Sequence, residues 1–422
     1  MMNAGARSRC WFLVAPAALS LLAACEWSDV EPPQRLGPPG LVVHENEPRL
    51  WLFVKQEEQK QRRVGSSRWS SGTTIGETLY HFDLQAHDTR TTDRVWKKRF
   101  LTLKQNQGGN SAQARILGQD GNVVWLFVHD QPVAVSSADG SVLADRDQLE
   151  QRNSALQGLI PRELKFYTFD QGLVITAADA RRYKVQSSDY TAAPYRPASE
   201  EIFTRSQIMS TTWNGGFPTS DFLTRMATLG GRWLGFYTEK EAADASDDGF
   251  GDNLKDPSSV LAEGSRARRT FWSARIGKTK EFSEGSHDRL FDVTRVPGAP
   301  EFLEAGLLLQ QGTKQPLMLH DPKGLLVLHR TRLDAEGRLA LTRLDESLHE
   351  KWRATLPFLE LGNRYEFPDR LLLFGAAQLT SNGVTQWQES IVALELRDGR
   401  TRAWNVTLER SVPSADLEKA TR

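Results

Sequence analysis

Cysteine is almost missing from this chain of 422 residues: there are two, Cys10 and Cys25. Everything after residue 25 therefore lacks a thiol, which excludes disulfides, thiolate nucleophiles and cysteine metal sites from the body of the protein. Long apolar runs are scarce too. The one clear case, Trp11 to Ala24, follows Arg7 and Arg9 and closes on small residues, the build of a secretory signal. As a helix it would rise only about 21 Å, short of a ~30 Å hydrocarbon core, so it is read as a signal peptide over 1–24 and not as a spanning helix. An excess of one charge is also lacking: 53 Lys and Arg balance 53 Asp and Glu. Without a concentrated positive field, no nucleic-acid partner is expected.

What is present begins at the end of that signal. Leu22-Ala23-Ala24-Cys25 resembles the lipobox of bacterial lipoproteins, in which a leucine and two small residues precede the cysteine. The resemblance implies cleavage before Cys25, a diacylglycerol on its thiol and a third acyl chain on its freed amine. Two or more chains make such an anchor effectively permanent, where one is marginal. In enteric bacteria an aspartate after the cysteine retains such proteins in the inner membrane. The residue here is Glu26, so the resemblance implies the outer membrane, with the protein facing the periplasm.

The lipidated stretch 25–40 carries Pro32-Pro33 and Pro38-Pro39. Such a segment favours the polyproline conformation at about 3.1 Å per residue and is expected to act as a spacer. A body over 41–408 and a polar tail over 409–422 complete the expected organisation. In the body, runs such as Leu50 to Val54, Val123 to Val128, Gly172 to Ile175, Trp233 to Tyr237 and Leu325 to Leu328 are rich in branched and aromatic residues and too short for helices. Turn signals such as Asp139-Gly140 and Asp398-Gly399 interleave with them, so hairpins in series are predicted and the fold class is all-β. Two charged stretches, Gln56 to Gly76 and Glu239 to Arg269, break the rhythm and are expected to be polar surface loops.

A degenerate pattern overlies these runs. Leu79 to Leu84 leads to Trp96, Leu341 to Asp345 leads to Trp352, and Ile391 to Leu396 leads to Trp404; Trp404 follows Trp352 by 52 residues and Trp352 follows Trp96 by 256. A period of about 51 residues suits four-stranded propeller blades with generous loops. These residues resemble the blades of quinoprotein-like β-propellers, best over Ile391 to Trp404. The resemblance implies a single ring of about seven blades, with six or eight also compatible, and tryptophans packed between blades. A ring needs closure, here expected through pairing of the strand near Leu50 to Val54 with the last blade.

Short motifs offer little chemistry. Asp244, Ser246 and Asp248 space oxygens as a calcium loop does, ahead of Gly249, but the twelfth place is Lys255 where a bidentate Glu belongs. No other cofactor is expected. Gly277-Lys278-Thr279 lacks the earlier glycine of a phosphate loop, and Ser286-His287-Asp288 puts triad residue types side by side where they cannot relay. Eight scattered histidines form no zinc-helix pattern. Basic clusters at Arg62-Arg63 and Arg266 to Arg269 read as solvated loop faces that could meet an acidic partner. The plan of lipobox, spacer and ring resembles the lipoprotein subunit of the outer-membrane β-barrel assembly machinery. It implies a protein-binding or scaffolding role toward another envelope protein, with no catalytic residue assigned. The alternative is a propeller enzyme, a hydrolase, lyase or quinone-dependent oxidoreductase, with its site at the central channel. Against the quinone version, the adjacent-cysteine disulfide of the related alcohol dehydrogenases is lacking.

Overall fold

The computed structural model describes residues 26–64, 73–196, 223–242 and 268–413, apart from position 230 and short gaps at 282–284, 312, 314, 321–322, 334–336 and 382–383. Over these residues the protein is all-β and antiparallel throughout, as expected. The first sheet contains β1 (Glu26–Val30), β2 (Gln34–His44), β3 (Glu47–Val64), β4 (Thr73–Asp88) and β5 (Arg94–Lys104). Both β1 and β2 lie along the same side of β3. The second sheet is β6 (Ala114–Asp120), β7 (Val123–Val128), β8 (Gln131–Ser136) and β9 (Val142–Ala144), and a short helix α1 (Arg146–Arg152) follows it. The third is β10 (Tyr167–Phe169), β11 (Leu173–Thr176), β12 (Arg182–Val185) and β13 (Ala192–Pro194). Among the described residues no helix is long and apolar enough to cross a membrane.

A ten-stranded network comes next. Its first half holds β14 (Leu223–Thr224), β15 (Met226–Leu229), β16 (Arg232–Tyr237), β17 (Arg268–Glu281) and β18 (Gly285–Arg295). Its second half holds β19 (Phe302–Leu308), β20 (Met318–His320), β21 (Lys323–Arg330), β22 (Leu339–Asp345) and β23 (Glu350–Thr355). The halves join where Arg268 and Arg269 pair with Leu303 and Phe302. The last sheet is β24 (Glu360–Glu366), β25 (Arg370–Ser381), β26 (Val384–Glu395), β27 (Thr401–Asn405) and β28 (Arg410–Val412), in that order.

The apolar runs show no alternation because many of these strands are covered on both faces. On β3, Trp51 and Phe53 pack with Val124 and Leu126 of the second sheet, while Leu50, Leu52 and Val54 pack with Leu372, Phe374 and Ile391 of the last. On β25, Leu371 and Leu373 turn instead toward Leu326 and Leu328 of the network. Leu325 and Val327 then point to Phe236 and Phe271 in the network's first half, and on β7 Trp125 and Phe127 meet Leu173 and Ile175 of the third sheet. The sheets thus stack face to face in series: third, second, first, last, then the two halves of the network.

Three expectations are corrected. The stretch 26–40 is no free spacer: β1 and β2 are hydrogen-bonded to β3. Its prolines fit this because β2 is an edge strand, with Pro38-Pro39 at the register shift between Leu36 and Gly40, where no ladder donor is needed. Gln56 to Gly76 is not simply a loop, since the rungs run from Arg49↔Asp88 out to Val64↔Thr73; cross-strand pairing satisfies the backbone there without an apolar face. Leu50 to Val54 does not hydrogen-bond to the last sheet but packs on it through side chains. At the other end of the chain, Arg410–Val412 pairs with β27, so the tail begins as a strand.

The patterned tryptophans take similar places. Trp96 on β5 donates to the Ala138 carbonyl at 3.1 Å, over the Asp139-Gly140 turn of the second sheet. Trp352 on β23 donates to the Leu396 carbonyl at 3.1 Å, beside the Asp398-Gly399 turn of the last. Trp404 on β27 lies against His87 near the β4–β5 turn of the first.

Candidate functional site

Cys25, Asp244, Ser246 and Asp248 lie outside the described residues, so the lipid and calcium expectations acquire no geometry. Gly277-Lys278-Thr279 sits within β17, paired to Arg289, Asp288 and His287 of β18 respectively, a ladder and not a phosphate loop. Among the described residues no group of three His, Cys, Asp or Glu is gathered closely enough to hold a metal. Arg269, expected on a solvated face, is buried and ion-paired to Glu241 at 3.0 Å.

Two histidines are structural. His87 is fully buried, with Nδ1 3.0 Å from the Thr92 carbonyl and Nε2 3.2 Å from the side-chain amide of Gln85. His329 contacts the Arg330 carbonyl at 3.0 Å and the Thr342 hydroxyl at 2.8 Å. Burial pushes both down to about 4, so both are neutral at ordinary pH. Asp83, also buried, is pushed up by burial but pulled further down by the Arg99 hydrogen bond at 2.8 Å and by the charge of Lys97. Lys97 in turn reaches Glu409 at 2.8 Å, and Glu409 meets Arg94 at 2.6 Å, which ties the end of the last sheet to the first.

A cleft opens at that same junction. It encloses about 660 Å³ between the β1–β2 connection and the last sheet, with Glu31, Pro32 and Pro33 on one wall and Glu360, Trp387 and Glu389 on the other. Local bonds hold both walls. Glu31 donates its backbone N–H to the Glu57 carbonyl at 2.8 Å, and Tyr365 donates its hydroxyl to the Pro39 carbonyl at 2.6 Å. Arg35 bridges the walls: its guanidinium lies 4.8 Å from the centre of the Phe374 ring and 3.2 Å from Glu389. Burial pushes the Glu389 carboxyl up despite Arg35, and it pushes Glu360 up with only partial relief from Arg330. Trp387 is 49% exposed, which is unusual for so large an apolar side chain.

Three carboxyls against one already-paired guanidinium give the cleft a net acidic character, and two of those acids are poorly solvated. A guest carrying a Lys or Arg beside an apolar group would relieve that cost and cover Trp387 and the prolines. Sequence reasoning missed this site because Arg35 and Glu389 lie 354 positions apart and neither belongs to a motif. The only local signal was a tryptophan, Trp387, in a polar stretch. Comparison with protein-family models gives no match, and neither does a search of curated proteins.

Proposed function

We propose that this protein is a lipid-anchored scaffold of the bacterial envelope. Its sheets form a propeller that binds another envelope protein through the cleft between its first and last sheets. Lipidation at Cys25 tethers it, at the outer membrane facing the periplasm. The described strands form two four-stranded sheets, two five-stranded sheets and one ten-stranded network, and this reading divides the network into two blades to make six, with residues 197–222 and 243–267 outside that count. The observation that carries this reading is the packing of the first sheet on the last, Leu50, Leu52 and Val54 against Leu372, Phe374 and Ile391. Face-to-face stacking that returns the last sheet to the first is what a ring requires. The equivalent seating of Trp96, Trp352 and Trp404 on turns of neighbouring sheets supports it further.

The partner's docking element would be an extended segment bearing basic and apolar residues, matched to Glu31, Glu360, Glu389 and Trp387. The test is capture of partners by the lipidated protein from membranes, compared with Trp387→Ala and Glu360→Lys variants. A protein that copurifies reproducibly with the parent and is lost with both variants is the expected result. Copurification indifferent to both, or turnover of a sugar or an alcohol by the purified protein, would overturn the reading. Because burial pushes the Glu360 and Glu389 carboxyls up, capture should weaken as the pH is lowered toward the carboxylate range. Cys25→Ser should abolish labelling with palmitate and release the protein from the membrane fraction.

A further inference from the structure

Charges and hydrogen bonds buried in the first half of the ten-stranded network do not balance. Glu241 is fixed by the turn it belongs to: the Thr238 backbone N–H donates to its carboxylate at 2.8 Å, and its own N–H donates to the Thr238 hydroxyl at 3.1 Å. Arg269, at the start of β17 and 2% exposed, donates to both carboxylate oxygens, from Nε at 3.2 Å and from Nη2 at 3.0 Å. Arg225, between β14 and β15, brings Nη1 to 3.4 Å from the same carboxylate. Four N–H groups therefore commit the lone pairs of one carboxylate, and two guanidinium charges meet a single negative one.

What remains is a surplus of donors. Arg225 Nε, Arg269 Nη1 and the Tyr237 hydroxyl are all buried, with no hydrogen-bond partner among the described residues. Three such atoms around one carboxylate are more than ordinary packing leaves. Arg269 joins burial in pushing Arg225 down to about 10, which still leaves it charged at neutral pH, and Arg225 opposes the rise that burial imposes on Tyr237. Glu241 is the one carboxylate among the described residues that acts on Arg225. A buried positive charge lacking a counterion is costly, and water would supply hydrogen bonds without the charge. One surplus positive charge calls for one negative charge. Arg269 is 2% and Tyr237 0% exposed, so only Arg225, with 13% of its side chain exposed, opens to solvent, and entry is limited to a small ion. We propose that Arg225 and Arg269 hold a buried monovalent anion of chloride size, with the Tyr237 hydroxyl as a third donor.

The site is independent of the cleft and of the anchor at Cys25. Its test uses the purified protein and chloride itself. Broadening of the chloride NMR line reads binding directly, and melting in sodium chloride against sodium gluconate at equal ionic strength reads its linkage to folding. Excess broadening is expected, together with a melting temperature that rises with chloride and then saturates. Arg225→Gln removes the surplus charge and one orphan donor while sparing the Arg269 to Glu241 pair. It should weaken chloride binding by about tenfold or more and melt alike in both salts. Tyr237→Phe keeps the ring and the charges, and should weaken binding by about fivefold. No excess broadening in the parent, or broadening that survives undiminished in both variants, would overturn the proposal. Undiminished binding in Tyr237→Phe alone would strike the hydroxyl from the site.

Discussion

Individual buried polar groups set how this protein should respond to acid. Asp83 is held in its ionised form by Arg99 and Lys97 while almost wholly buried. Its contribution is full above the ordinary carboxylate range and is lost as the pH falls through and below about 4. Asp83→Asn leaves Lys97 and Arg99 without their shared acceptor, and urea unfolding at pH 7 should show a loss of about 2–4 kcal/mol. His87 and His329 act at milder pH. Between the ordinary 6.5 and the folded value of about 4, the unfolded chain binds more protons than the folded one. Stability should therefore drop as the pH is lowered across that window, by roughly 3 kcal/mol for each histidine at its foot. Urea midpoints measured from pH 7 to 4 should fall less steeply in His329→Gln than in the parent; equal slopes would place the proton uptake elsewhere.

At the scale of strands, side chains facing two ways explain both what could be read and what could not. The runs Leu50 to Val54 and Leu325 to Leu328 were legible as strands, yet which residue faces which neighbour was not, since an apolar run carries no alternation when both faces are covered. Leu52→Ala and Leu372→Ala, on facing sheets of one cluster, should each cost about 2–5 kcal/mol. Their double variant should cost less than the sum, because the two share one void. Tight turns between strands were legible from Asp-Gly pairs. Gly399 takes a φ of +73°, and a Cβ there would meet the Trp352 ring at 2.6 Å. Gly399→Ala should thus lower stability by at least about 1 kcal/mol, read as a reduced melting temperature. The segments misread were Gln56 to Gly76 and the proline-rich start. Residues 56–64 pair with 73–81, and β1 and β2 pair with β3, through backbone hydrogen bonds, an interaction that leaves no mark in hydrophobic periodicity.

For the whole molecule, the first and last sheets meet, and a chain shortened to end before residue 360 should expose Leu50, Leu52 and Val54. Such a truncation is expected to aggregate or bind a hydrophobic dye, whereas removal of residues 414–422 should not. Calcium is a separate question of the intact chain. With Lys255 in the twelfth place of the Asp244 loop, calorimetric melting should be the same with chelator as with millimolar calcium. A clear rise with calcium would instead assign Asp244, Ser246 and Asp248 as ligands.

Strand content, turn positions and the lack of thiol chemistry were decided by the sequence alone, because each depends on residues within a few positions of one another. The apolar stretch ahead of Cys25 is likewise a local pattern, and reading it as a signal with a lipobox is an expectation made without a fold. Only the tertiary structure decided that Arg35 reaches Glu389, that Glu409 ties the chain's end to Lys97 and Arg94, and that Glu26 lies beside Arg62. The reason is physical. Periodicity reports that a face will be covered, but only the stacking of one sheet on another selects which distant residues cover it.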